Sequence, residues 1–130
     1  MDILERLEHF KDYKYMKKNQ EEEIRKQEAI VHACDDMCLP DSLKNRLFQD
    51  VQEAKGKLIA IELKEHTEGQ DLERILNDNI QDDRIRYILC RHYIQQETLV
   101  RIADEISISQ SYVNLLSAKG KQMMKKVVIE

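Results

Sequence analysis

Tryptophan is absent from the chain, and 130 residues include only one proline and three glycines. Residues that break helices or fill tight turns are therefore scarce. Lys, Glu, Leu, Ile, Gln and Arg dominate in their place, so an all-α fold is expected. No stretch approaches the roughly 18 apolar residues of a membrane span. The opening MDILERLEHFKDYK also lacks the basic start and apolar run of a secretory signal. A soluble, cytoplasmic protein without a membrane partner is the expectation. The three cysteines, Cys34, Cys38 and Cys90, are an odd number without a secretory signal, and are read as reduced thiols.

Catalytic groupings are missing as well. There is no Gly-rich phosphate loop, no Ser-centred elbow and no His-x-x-x-His pair, and His9, His32, His66 and His92 stand singly. The chain is read as a non-enzyme without a cofactor. A zinc site built from His32, Cys34 and Cys38 with Cys90 and His92 is disfavoured, because Cys-x-x-x-Cys inside a helix lacks the tight turn of structural zinc sites. The cysteines are read as small core thiols with no metal, and Asp35 and Asp36 as a solvated helix face.

The length suits one compact domain, or a core-bearing domain with a helical appendage. Charged residues make up 35% of the chain against 42% apolar, so the apolar residues must be gathered on stripes of amphipathic helices. Charge is divided unevenly. Residues 1–81 carry 13 basic and 19 acidic side chains, a balance of −6, whereas residues 82–130 carry 8 and 6, a balance of +2. Lys119, Lys121, Lys125 and Lys126 concentrate the positive charge after Ser109.

Ile3, Leu4, Leu7 and Phe10 recur at helical spacing, as do Ile24, Gln27, Val31, Cys34 and Cys38, with the polar run Lys17–Glu23 between them. We read one continuous first helix. Asn19 followed by Glu22 also fits a capping box, so a break near residue 19 is the alternative. Pro40 forces a reversal, and Asp41 or Ser42 suits the cap of a second helix. That helix carries Leu43, Leu47, Val51, Ala54, Leu58 and Ile61 as a seam to about Glu65. Residues 1–66 are thus expected to form a long, coiled-coil-like helical hairpin, an element for interaction or homodimerisation. Thr67-Glu68-Gly69-Gln70 is expected to end it, and a short helix to run from Asp71 to about Asn77.

Residues 71–130 are read as a separate module. Ile85, Ile88, Leu89 and Tyr93 form a stripe that Gln95-Gln96 interrupts, and Thr98 suits the cap of a helix bearing Leu99, Ile102, Ala103 and Ile106. Ile102, Ala103, Ile106, Ile108, Val113 and Leu116 fall where a helix-turn-helix needs inward apolar or small residues. Ser107 stands where the turn normally has a glycine of positive φ, at a cost of roughly 1–2 kcal/mol. Ser109 then caps a second helix, and Tyr112 is read as packing over Ile108 and Leu116 rather than reading a base.

The stretch DDRIRYILCRHYIQQETLVRIADEISISQSYVNLLSAKGKQMMKKV resembles region four of bacterial sigma factors, and more closely the ArpU-type regulators of phages from Gram-positive bacteria. The shared features are the Arg-Tyr-Ile-like entry helix, the Thr/Ser-capped helix containing Ile-Ala, the Ser-initiated second helix and the Lys-rich tail. The likeness covers about residues 72–127. It implies a tri- or tetrahelical DNA-binding module preceded by a helical segment, hence a sequence-specific transcriptional regulator of double-stranded DNA. Carried over, it places Ser109, Gln110, Ser111 and Asn114 toward the major groove, with Leu115 and Ala118 beside them, and Arg101, Lys119 and Lys121 at phosphates. Gln and Asn amides suit adenine edges. Sigma-type reading helices usually carry arginine near this start, and this one has none. Modest affinity alone is expected, raised by dimerisation or by RNA polymerase. The alternative is an adaptor or polymerase-associated factor whose helix-turn-helix contacts protein.

Overall fold

The computed structural model describes residues 2–127, and every regular element among them is helical. The elements are α1 (Ile3–His9), α2 (Asp12–Cys34), α3 (Asp41–Asn79), α4 (Asp83–Leu89), a π-helical stretch at Cys90–Ile94, α5 (Leu99–Ile106) and α6 (Gln110–Lys125). No described helix is long and apolar enough to cross a membrane. The last three residues of the expected C-terminal module lie outside the described residues.

The chain divides into two compact units. One is Asp12–Glu65; the other joins the described residues up to Lys11 with those from His66 onward. In the first unit α2 and α3 are joined by the reversal at Pro40. Their contacts pair in reverse chain order, which makes them antiparallel. Lys17 Nζ lies 2.7 Å from Glu65 Oε1, Gln20 Nε2 donates to Ala54 O at 2.9 Å, and Val31 and Cys34 line a cleft with Lys44 and Leu47. Asp41 is the first residue of α3 rather than its cap: the Pro40 carbonyl accepts from the Leu43 and Lys44 N–H groups, both at 3.1 Å. Its charge still favours the helix start. Ile24, Val51 and Ala54 are buried between the helices, but Leu43, expected on the seam, is 40% exposed. Cys38, expected as a core thiol, is exposed beyond the end of α2, while Cys34 and Cys90 are half-buried.

In the second unit Leu7, Leu72, Leu76, Ile80, Ile88, Leu89, Ile102, Val113 and Met124 form the least accessible part of the core. Its helices start on side-chain caps. Asp2 accepts from the Glu5 N–H at 2.8 Å, and Asp82 accepts from those of Arg84 and Ile85 at 2.9 and 3.1 Å.

Three boundaries differ from those read in the sequence. The first helix runs unbroken through Asn19 and the polar run, but it separates from α1 at Phe10–Lys11. The Phe10 N–H bonds back to Leu7 O, at 3.3 Å, a three-residue step that tightens the end of α1. Residues 2–11 accordingly group with the C-terminal helices and not with the hairpin. Finally, no break occurs at Thr67–Gln70, and no separate helix begins at Asp71: α3 continues to Asn79. Gly69 is buried, and a Cβ there would stand 3.1 Å from Phe10 Cζ. This glycine makes room for a ring instead of ending a helix.

Arg6 reinforces the same junction. Its Nε donates to Glu68 Oε1 at 2.8 Å and its Nη2 to Asp71 Oδ2 at 2.7 Å. The Arg6 hydrogen bond, helped by Arg74, holds the Asp71 carboxyl below its ordinary 3.8. Asp71 therefore adds stability above that value and loses it as pH falls through its lower folded value. Asp71→Asn is expected to flatten the fall of folding stability below about pH 4, measured by urea titration. An unchanged acid limb would show that the pair contributes nothing.

Candidate nucleic-acid interface

The geometry of α5 and α6 follows from local chemistry. Thr98 starts α5, its Oγ1 accepting from the Arg101 N–H at 3.2 Å. Ser107 ends it in the left-handed conformation, φ 56° and ψ 41°, with its N–H turned to Ala103 O and Asp104 O. The next N–H, of Ile108, bonds to Ala103 O at 3.1 Å. A left-handed residue followed by this six-to-one bond is a Schellman ending, which satisfies carbonyls the helix would leave open. Ser109 follows as the cap of α6, accepting from the Tyr112 N–H at 3.3 Å. Two helices are thereby joined across three residues.

Glycine suits the left-handed position better than serine. Ser107→Gly is expected to raise stability by about 0.5–1 kcal/mol, and Ser107→Val to lower it by at least about 1 kcal/mol. Thermal melts of the two variants check the sign; a loss in the glycine variant would show that the hydroxyl matters more than the backbone.

Ile102, Ala103, Val113 and Leu116 are buried, and Ile106 and Ile108 half-buried. The inward side of α6 continues through Ser117, Gly120 and Met124. At Gly120 a Cβ would lie 2.8 Å from Leu89 Cδ1 and 2.9 Å from Ile85 Cγ2, so the lack of a side chain lets α4 and α6 approach. Gly120 was legible in principle, since it falls in phase with Leu116, Ser117 and Met124.

The outward side of α6 holds Gln110, Ser111, Asn114, Leu115, Ala118 and Lys119, all exposed. Ser109 and Ser111 keep their hydroxyls 3.4 Å apart. Tyr112 is 40% and Leu115 51% exposed. The three expected phosphate contacts differ in surroundings. Lys119 is exposed. Arg101 has a side chain 70% exposed, with Nε 3.5 Å from Glu105 Oε1. Lys121 is half-buried near the Tyr93 phenol. Burial raises the Tyr93 phenol above its ordinary range, against the pull of Lys121. Lys119 is thus the least committed of the three.

A group that sequence reasoning missed holds α5 in place. After α4 the backbone widens to the π-helical stretch, with the Gln95 N–H on Cys90 O at 3.1 Å, and then passes through Gln96 at φ 59°. This brings Arg91 onto Glu97, 2.6 Å away, onto Glu105 of α5, and to within 5.6 Å of the Tyr87 ring centre. His92 Nδ1 meets Glu97 O at 2.8 Å. Glu97 and Glu105 are far enough along the chain that helical spacing alone did not mark them. The Cys90 thiol beside this stretch is pushed up to about 11, first by burial and then by Glu73, although Arg86 opposes the rise. It is a poor nucleophile at neutral pH. Among the described residues no three His, Cys, Asp or Glu side chains gather closely enough to hold a metal ion.

No protein-family model, no curated protein and no solved structure matches the chain.

Proposed function

We propose that the protein is a sequence-specific DNA-binding transcriptional regulator of the phage type its sequence resembles, reading the major groove with α6 from Ser109. The observation that carries this reading is the division of α6. Val113 and Leu116 are buried on the inward side, while Gln110, Ser111 and Asn114 stand exposed over its first turns, after a three-residue turn from α5. Asn114 and Gln110 offer paired donors and acceptors to adenine, and Lys119 and Arg101 offer charge to phosphates. With no arginine on α6, affinity is modest, and a second copy or RNA polymerase supplies the rest.

Binding to a random-sequence duplex pool, followed by selection at low salt, tests the reading. Asn114→Ala should relax the selected preference, whereas Lys119→Ala should weaken every duplex alike and reduce the salt slope by about one. Undetectable binding at low salt, where phosphate contacts are strongest, would overturn it.

A second reading is supported by Val100 and Leu115, each 51% exposed, by the ion pair of Arg101 with Glu105 and by the half-burial of Lys121. Apolar side chains beside committed cations suit a protein partner, such as RNA polymerase, better than a phosphate backbone. Val100→Ser separates the two: it abolishes capture of purified polymerase under this reading and leaves the selected DNA preference intact under the first.

A further inference from the structure

The hairpin carries an exposed, uncharged stripe on α3. On α3, Asn45, Gln49, Gln52, Gly56, Ile59 and Leu63 follow one another at steps of four, three, four, three and four residues. This is the spacing of a coiled-coil seam, and all six are exposed. Val51 and Ala54, the buried residues of α3 in this unit, and the half-buried Leu47, Leu58 and Ile61 occupy the opposite side, and Asn45 and Gln52 of the stripe also line clefts with Val31 and Asp35. In a chain with 35% charged residues none of the six is charged. Ile59 is 57% and Leu63 62% exposed, and Phe48 beside them 59%. Nothing lies within 4 Å of where a Cβ on Gly56 would stand.

We infer that this face is the site where a second copy of the chain docks, through antiparallel pairing of the two α3 helices about a two-fold axis beside Lys57 and Leu58. The pairing deepens the self-association named for the hairpin and does not depend on DNA.

Charge selects both occupant and direction. A two-fold contact sets the same patch against itself, so a seam without charges avoids like charges at its centre. With the axis at this place, Ile59 of each copy meets the open surface at Gly56 of the other, and Leu63 meets Gln52. The positions flanking the seam then bring Lys55 of each copy to Glu62 of the other, twice over. Both residues are exposed. A parallel pair would instead stack Gly56 on Gly56, leaving a gap, and would set Lys55 beside Ala60 and Glu62 beside Thr67.

Sedimentation equilibrium of the full chain, from micromolar to submillimolar concentration, tests the inference. The expected result is a concentration-dependent dimer of twice the 15.5 kDa chain mass. Ile59→Lys should leave it monomeric. Lys55→Glu and Glu62→Lys should each weaken pairing roughly tenfold, since attraction becomes repulsion at two places, and the double exchange should restore it. These flanking residues are exposed, so circular dichroism should show unchanged helicity. A wild-type chain that stays monomeric throughout, or a dimer indifferent to Ile59→Lys, overturns the docking face. A double exchange no better than the single ones overturns the antiparallel register. None of these results bears on whether DNA is bound.

Discussion

A chain that starts at Asp12 is expected to lose the cooperative melting of its C-terminal helices. Ile3, Leu4, Leu7 and Phe10 are each at most 8% exposed, and α1 packs on α6 and the π-helical stretch. Burying a side chain of this size is worth roughly 1.5–3 kcal/mol. Four of them approach the whole stability of a small unit, about 5–15 kcal/mol. Removing α1 would also uncover its partners and leave Glu68 and Asp71 without Arg6. The milder Phe10→Ala should cost about 3–5 kcal/mol in urea unfolding, because the ring fills the space that Gly69 leaves open. If the shortened chain melts as sharply and as late as the full one, the C-terminal helices are autonomous and the assigned role of α1 is wrong.

The other large effect lies at Gly120. Gly120→Leu is expected to lower stability by about 3 kcal/mol, because even a Cβ would approach Leu89 and Ile85 to 2.8 and 2.9 Å. Both neighbours are buried and have little room to yield. Gly56 provides the contrasting case. It too is inside a helix, but its Cβ would meet nothing within 4 Å, so Gly56→Ala should stabilise the dilute chain by about 0.5–1 kcal/mol. Opposite signs at two helical glycines would separate packing from backbone freedom in one pair of melts. A stabilising Gly120→Leu would mean that α4 and α6 do not touch closely. The consequence extends to function, since α4 helps hold the inward side of α6 whose outward side is proposed to read DNA.

The features legible in advance share a short range. Thr98 and Ser109 cap helices through their third N–H group, and Ser107 takes the left-handed conformation, all within a few residues of the side chains concerned. The buried frame from Ile102 to Leu116 could be read for the same reason, because helical periodicity is a local property. The outward residues of α6 were placed by the family resemblance and are exposed in the structure. Arg91 could not be found this way, for its acid on α5 lies fourteen residues further along the chain.

Composition and local spacing were therefore enough for the all-helical class and for the caps and the turn between α5 and α6. Only the tertiary structure decided that α3 passes through Gly69 and that residues 2–11 belong with the C-terminal helices. The physical reason is the same in each case. Phe10 against Gly69 and Arg6 against Glu68 and Asp71 join residues about sixty positions apart, and such contacts override the local signal of a glycine in a helix.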